Sequence, residues 1–186
     1  MFGEVVGRVS GVAIGRAREE VALLLSWRLM RCVVEWKEVT SRHVSVRVRI
    51  ERETWVFISA YGPGSEKSEV EIEEFRNELS ECVGSFGRNE SVEVLGNFNA
   101  RVGIEVIEGI VGRHGVPGRN ESGKRLLEMC AKQELVVGNR WFKKNDVYKY
   151  TWLRMAERRV VDKAQMDYVL LPRQMLGRLL DVKVWR

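Results

Sequence analysis

An α/β domain, with helices packed on a β-sheet, is the fold class that this sequence predicts. Runs of strand character fall before, between and after two runs of helix character. Val44, Val46, Val48 and Ile50 alternate with polar residues, the period of a strand with one buried face. Ser68 and Glu71 form a capping box, after which Ile72, Phe75, Leu79, Cys82 and Phe86 recur at spacings of three and four, the stripe of an amphipathic helix.

The remaining elements follow in order. Val33 to Val39 is rich in β-branched residues and reads as a strand. Trp55 to Ala60 is mostly apolar, which suits a strand buried on both faces, and Gly62-Pro63-Gly64 ends it. The acidic side chains of residues 66–93 decorate the wet face of the first helix. Val92 to Leu95 is a short strand that delivers the chain to Gly96-Asn97-Phe98-Asn99-Ala100. Residues 101–120 are rich in glycine without a period and form a long loop. Asn120 caps a second helix that runs through Lys132 and buries Leu126, Leu127 and Cys130. Further strands are expected at Leu135 to Val137, at Tyr148 to Leu153, and at Met166 to Leu171, where Pro172 stops the run. A last one is expected at Asp181 to Trp185.

Of the 186 residues, 45% are hydrophobic and 31% charged, the balance of a folded domain with a sizeable core. The apolar stretch Val21 to Leu25 is far too short to span a bilayer. No basic-then-apolar leader with a small-residue cleavage site opens the sequence, so an intracellular protein, nuclear or cytoplasmic and away from membranes, is expected. Cys32, Cys82 and Cys130 are odd in number and widely spaced, which fits a reducing compartment and argues against a disulfide framework or a zinc site. The net charge of +5 is uneven, with 12 basic and 5 acidic side chains in residues 140–186. Such a segment favours a polyanionic partner, but on charge alone a solvated face of scattered charge is the preferred reading, and charge by itself does not decide the function.

Three strand ends carry polar groups that invite chemistry. The run Ile58-Ser59-Ala60-Tyr61 ends on a tyrosine, Val94-Leu95-Gly96-Asn97-Phe98-Asn99 ends on two amides, and Met166-Asp167-Tyr168-Val169 opens with an acid. If the chain stays extended, Asn97 and Asn99 point the same way. Each residue also has a plain structural use. Tyr61 suits packing with a wet hydroxyl, the asparagines suit turns, and Asp167 suits a cap or an arginine partner.

As an ordered set, Ala60-Tyr61, Gly96-Asn97-Phe98-Asn99-Ala100, Tyr150-Thr151-Trp152 and Met166-Asp167-Tyr168-Val169-Leu170 resemble the endonuclease/exonuclease/phosphatase superfamily, and more closely the endonuclease domain of non-LTR retrotransposons. The resemblance covers residues 31–186 as one domain. Residues 1–30 match poorly, apart from Ser10-Gly11-Val12-Ala13-Ile14, which is similar to an early strand of the family. It implies a DNase I-like fold of two packed β-sheets flanked by helices, incomplete here at both ends, and Mg²⁺-dependent phosphodiester hydrolysis. By the same match Tyr61 contacts the scissile phosphate, Asn99 donates to it and Asp167 orients a catalytic histidine. Asn97 and Asn99 occupy the family's metal-side positions. Arg101, Thr151 and Trp152 line the groove for DNA, and Arg154, Arg158 and Arg159 belong to a hairpin that engages it weakly and without sequence preference.

Departures from the family pattern bear on activity. Where the family carries Gly-Asp-x-Asn, this chain has Gly96-Asn97-Phe98-Asn99, and an amide has no protonation equilibrium with which to act as a base. No counterpart of the family's metal-binding glutamate or closing Ser-Asp-His is found, and His43 and His114 match neither position. General acid–base help is worth roughly 10²–10⁴-fold, so an inactive relative is expected. The alternatives are a nucleic-acid-binding module without catalysis and an interaction protein whose exposed strand edges seek partners.

Overall fold

The computed structural model describes residues 11–14, 21–87 and 89–184. Its strands are Gly11–Ile14 (β1), Leu23–Ser26 (β2), Val33–Thr40 (β3), His43–Ile50 (β4), Glu53–Tyr61 (β5), Glu90–Asn97 (β6), Leu135–Val137 (β7), Trp152–Ala156 (β8), Arg159–Ala164 (β9) and Asp167–Pro172 (β10). Helices occupy Trp27–Met30 (α1), Glu69–Gly84 (α2) and Glu121–Lys132 (α3).

Six strands form one mixed sheet in the order β3-β4-β5-β6-β10-β7, and β1-β2 and β8-β9 form two-stranded pieces. β5 and β6 run parallel, because α2 carries the chain back across the sheet between them; β10 is antiparallel to both β6 and β7. Successive side chains alternate faces, so each strand serves two cores. On one face Val56, Ile58, Val92, Val94 and Leu170 meet Phe75 and Leu79 of α2 and Leu126, Leu127 and Cys130 of α3. On the other, Val44, Val46, Val48, Trp55 and Leu171 meet Val21, Leu23 and Leu25 and Met175 of the 3-10 segment Arg173–Arg178. The β1-β2 pair is thus a second layer of strand on the face away from the long helices.

The helix signals hold in detail. Ser68 accepts from the Glu71 N–H at 3.2 Å while the Glu71 carboxylate accepts from the Ser68 N–H at 3.1 Å, and Asn120 caps α3 through the Gly123 N–H at 2.8 Å. All three cysteines are free thiols, and burial pushes Cys82 up to about 11 and Cys130 up to about 12, which leaves both inert. Among the described residues no helix is long and apolar enough to cross a membrane.

Three expectations need correction. β4 is buried on both faces over His43 to Val46, not on one, because α2 covers its polar side and Phe75 stacks on His43 with ring centroids 4.8 Å apart. The strand expected from Tyr148 begins only at Trp152; residues 146–148 make a 3-10 turn, since the N–H groups of Tyr148 and Lys149 turn back to the carbonyls of Asn145 and Asp146, each at 3.0 Å. Residues 181–184 are not a strand: a Val184 N–H to Tyr148 carbonyl bond of 3.1 Å and an ion pair of Asp181 with Lys144 hold them without a ladder; Trp185 lies outside the described residues.

The long loop is fastened from within. Arg140 is 1% exposed, and its guanidinium donates to the carbonyls of Gly103 and Gly112, so one side chain holds both arms of residues 101–120. The buried Tyr168 hydroxyl reaches the Gln165 carbonyl (2.7 Å) and the Ala100 carbonyl (3.2 Å) and accepts from Val102 N–H (3.3 Å).

Candidate active site

Three strand ends meet in one row. Tyr61 closes β5, Asn97 closes β6 and Asp167 opens β10, with Tyr61 opposite Asn97 in the parallel ladder and Asn97 opposite Asp167 in the antiparallel one. Residues paired across neighbouring strands project to the same face, so these side chains stand side by side on the face away from α2 and α3. The Phe98 N–H donates to the Met166 carbonyl at 2.8 Å. Hydrogen-bonded pairing therefore falls on 98 and 166, and 97 and 167 form the intervening pair, whose side chains lie closer.

Gly96 permits this close approach. Its φ is +153°, and a Cβ there would collide with the Ala60 carbonyl of β5.

The two amides do not continue one extended strand, as their spacing predicts. Asn99 sits at φ +46°, in the left-handed region that asparagine tolerates. Asn97 Oδ1 accepts the Asn99 N–H at 2.8 Å, and Asn99 Nδ2 donates to the Gly62 carbonyl at 2.8 Å. Both act as turn formers, Asn97 through its Oδ1 and Asn99 through its Nδ2. Asn120 continues the chain of contacts, taking the Arg101 N–H at 2.8 Å and giving to the Asn99 carbonyl at 3.3 Å.

Asp167 is half-buried and held from two sides. Thr151 Oγ1 accepts the N–H groups of Met166 (3.0 Å) and Asp167 (3.2 Å), and its hydroxyl bonds the Asp167 carboxylate. Burial pushes that carboxyl above the usual aspartate range, and the Thr151 bond offsets this only in part. On the outer side β7 ends at Val137, and Asn139 takes the place of further strand. Its Oδ1 accepts the Val169 N–H at 2.8 Å and its Nδ2 donates to the Asp167 carbonyl at 3.3 Å. Nothing in the local sequence marks Asn139 for this task, because it depends on where a strand some thirty residues away needs a partner.

Tyr61 is 37% exposed, and the Arg42 guanidinium lies 5.8 Å from its ring centroid and donates to its carbonyl at 3.3 Å. Trp152 is half-buried with the Arg101 guanidinium 5.9 Å from its ring, while Arg101 also pairs with Asp162 at 2.9 Å. That contact ties the loop to the β8-β9 hairpin. Glu157 and Arg158 turn the hairpin at φ 48° and 62°, the left-handed pair of a two-residue turn. Arg154, Arg158 and Arg159 are all exposed on it. The hairpin is a ribbon of its own, not the link between a strand at Tyr148 and β10.

Neither histidine joins the row. His43 lies under α2 on the opposite face, with Nδ1 2.8 Å from Thr40 Oγ1, and burial lowers it to about 4. His114 belongs to the long loop, its N–H bonded to the Arg140 carbonyl at 3.1 Å.

A magnesium ion takes hard oxygen donors, commonly one or two carboxylates with several waters. The row supplies one carboxylate, whose pKa burial raises, and one amide whose oxygen already accepts the Asn99 N–H, while neighbouring Asn99 is held through its Nδ2 on the Gly62 carbonyl and adds no negative charge. Among the described residues no three His, Cys, Asp or Glu side chains come together. The residues present do not fit a resident magnesium.

Other proteins share this arrangement of strands. The endonuclease domain of TRAS1, a telomere-specific non-LTR retrotransposon, superposes with a TM-score of 0.56 at 15% identity, over 83% of this chain and 60% of that one. A 3′-5′ exonuclease from Neisseria meningitidis superposes with a TM-score of 0.52 at 17% identity, over 75% and 56%. The chain has the DNase I-like fold of the endonuclease/exonuclease/phosphatase proteins. In sequence the chain is similar to craniofacial development protein 2 of Bos taurus, 29% identical over 153 residues, and to that of Tragulus javanicus, 28% identical over 153 residues. The match takes in 82% of this chain and 25% of the Bos taurus protein, so the chain spans about a quarter of the length of that relative. No family model matches it.

Proposed function

We propose that this chain is an inactive relative of a Mg²⁺-dependent, retrotransposon-type DNA endonuclease, and that it keeps weak, sequence-independent binding to DNA. The observation that carries the proposal is Asn97, an amide between Tyr61 and Asp167 in the row, with its oxygen bound to the Asn99 N–H. An amide neither takes a proton from water nor supplies the charge that holds a hard dication. What remains has a polar, phosphate-compatible character: the Tyr61 hydroxyl and, with rearrangement of its backbone bond, the Asn99 amide. In the proposed domain, residues 31–186, Asp167 lacks the histidine it is expected to orient, and β2 supplies core side chains from outside that span.

The binding part is favoured by the hairpin, whose Arg154, Arg158 and Arg159 are exposed beside half-buried Trp152. Phosphate contacts from such side chains position a duplex without reading its bases. The decisive experiment incubates purified chain and Mg²⁺ with supercoiled plasmid and with abasic duplex, and follows nicking. No nicking above background is expected. Nicking that vanishes in both Tyr61→Phe and Asp167→Ala proteins would show that the row is catalytic and overturn the proposal.

A further inference from the structure

We propose that the outer edge of β3 joins two copies of this chain through an antiparallel β3-β3 pairing centred on Trp36. β3 is the first strand of the six-stranded sheet, and among the described residues no strand pairs with its outer side. Edges are usually blunted by charge and bulges, yet this one exposes Val34 (54%), Trp36 (52%) and Val39 (38%). Register shifts lie between Val33 and Glu35 and between Glu38 and Thr40, so the regular stretch open to pairing is Glu35 to Glu38.

The charges in that stretch select one arrangement. Two antiparallel copies of a strand are related by a two-fold axis normal to the sheet, which leaves each side chain on its own face. Because paired residues share a face, the axis must pass through a residue that meets itself. An axis at Glu35 or Glu38 sets carboxylate against carboxylate, and one at Lys37 sets ammonium against ammonium. At Trp36 the indoles meet on one face, and on the other each Glu35 meets the partner's Lys37, twice over. Glu35 and Lys37 already pair within one chain at 2.9 Å, which shows that the two charged ends reach each other along this edge. Glu35 is also bonded to Arg47, which pairs in turn with Glu90 at 2.8 Å, so its carboxylate is fixed in place for a partner.

So short a stretch makes a weak dimer, visible as a change of mass with concentration. Sedimentation equilibrium of the full chain from micromolar to submillimolar concentration tests it, with circular dichroism melts confirming that each variant folds. Wild type is expected to pass from monomer to dimer. Lys37→Glu replaces two attractive cross-strand pairs by two repulsive ones and is expected to weaken dimerisation about tenfold or more. Trp36→Ser, which leaves the charges alone, is expected to weaken it similarly. The double variant Glu35→Lys with Lys37→Glu restores the cross-strand pairs in reverse at the loss of the Arg47 contact, and is expected to dimerise more tightly than Lys37→Glu alone. A wild type that stays monomeric throughout, a dimer indifferent to Lys37→Glu or Trp36→Ser, or a double variant no better than Lys37→Glu alone would each overturn the proposal.

Discussion

Asn97 and Asp167 face each other across β6 and β10 as a non-hydrogen-bonded pair, an amide opposite a partly buried acid. A second carboxylate at 97 would place two like charges at the closest cross-strand separation, at a cost of up to about 1 kcal/mol near neutral pH. Asn97→Asp is therefore expected to melt below wild type without metal and to gain a Mg²⁺-dependent rise in Tm that wild type lacks. Nicking should stay at background in the variant, because no histidine joins the row. Equal response of the two proteins to Mg²⁺ would contradict this.

Asp167 has its carboxyl raised by burial, so it contributes stability that is present below the unfolded pKa and is lost as pH rises through the folded one. Asp167→Asn keeps an oxygen for the Thr151 hydroxyl and removes the titration. The variant should melt above wild type at neutral pH, and the gap should close as the pH is brought below the ordinary aspartate range. Thermal melts across that span give the sign directly.

His43 acts in the other direction. Burial lowers it from 6.5 to about 4, so the unfolded chain takes up its proton first and stability falls as pH drops from about 6.5 toward 4. The full effect is roughly 3 kcal/mol on the scale of 1.36 kcal/mol per unit. His43→Leu should flatten the loss of stability over this range in urea unfolding curves, whatever it does to stability at neutral pH.

Removing the Asn139 side chain exposes two backbone groups of β10. Asn139→Ala is expected to lower stability by about 1–2 kcal/mol, the cost of leaving a partly buried donor and acceptor unpaired. Amide exchange at Val169 should quicken more than exchange in the centre of β6.

Neutralising Arg154, Arg158 and Arg159 to glutamine should weaken duplex DNA binding and flatten the dependence of log affinity on log salt by roughly three contacts, at about 0.9 per contact. Fluorescence anisotropy at two salt concentrations measures both. A variant with unchanged affinity and unchanged slope would make these arginines ordinary surface charge.

Local signals were legible in the sequence and long-range ones were not. The capping box at Ser68 and the Asn120 cap need only a few residues of context, and both fell where expected. β5, β6 and β10 were visible as apolar runs, which placed Tyr61, Asn97 and Asp167 at strand ends; that they share one row depends on register, which a single strand does not encode. The left-handed turn at Asn99 overrode the extended geometry that the spacing implied, because asparagine satisfies its own backbone there. The parts of Asn139 and Arg140 were invisible, since their partners lie 28 to 37 positions away in the chain. The valines near the end suggested a strand, but alternation without a neighbouring strand to pair with forms none.

The buried Arg140 guanidinium has a kinetic consequence. It joins the carbonyls of Gly103 and Gly112 from a position just past β7, so the long loop is shaped by a side chain synthesised after it. Residues 101–120 carry bridges of their own, Val102 to Arg119 and Ile107 to Val111, but the tie of both arms to Arg140 waits until β7 and β10 have docked, and closing so wide a span is slow relative to forming α2 or the β4-β5 hairpin. During refolding this segment would be the last to gain protection from proteases, arriving together with the turn that Asn99 and Asn120 hold in place.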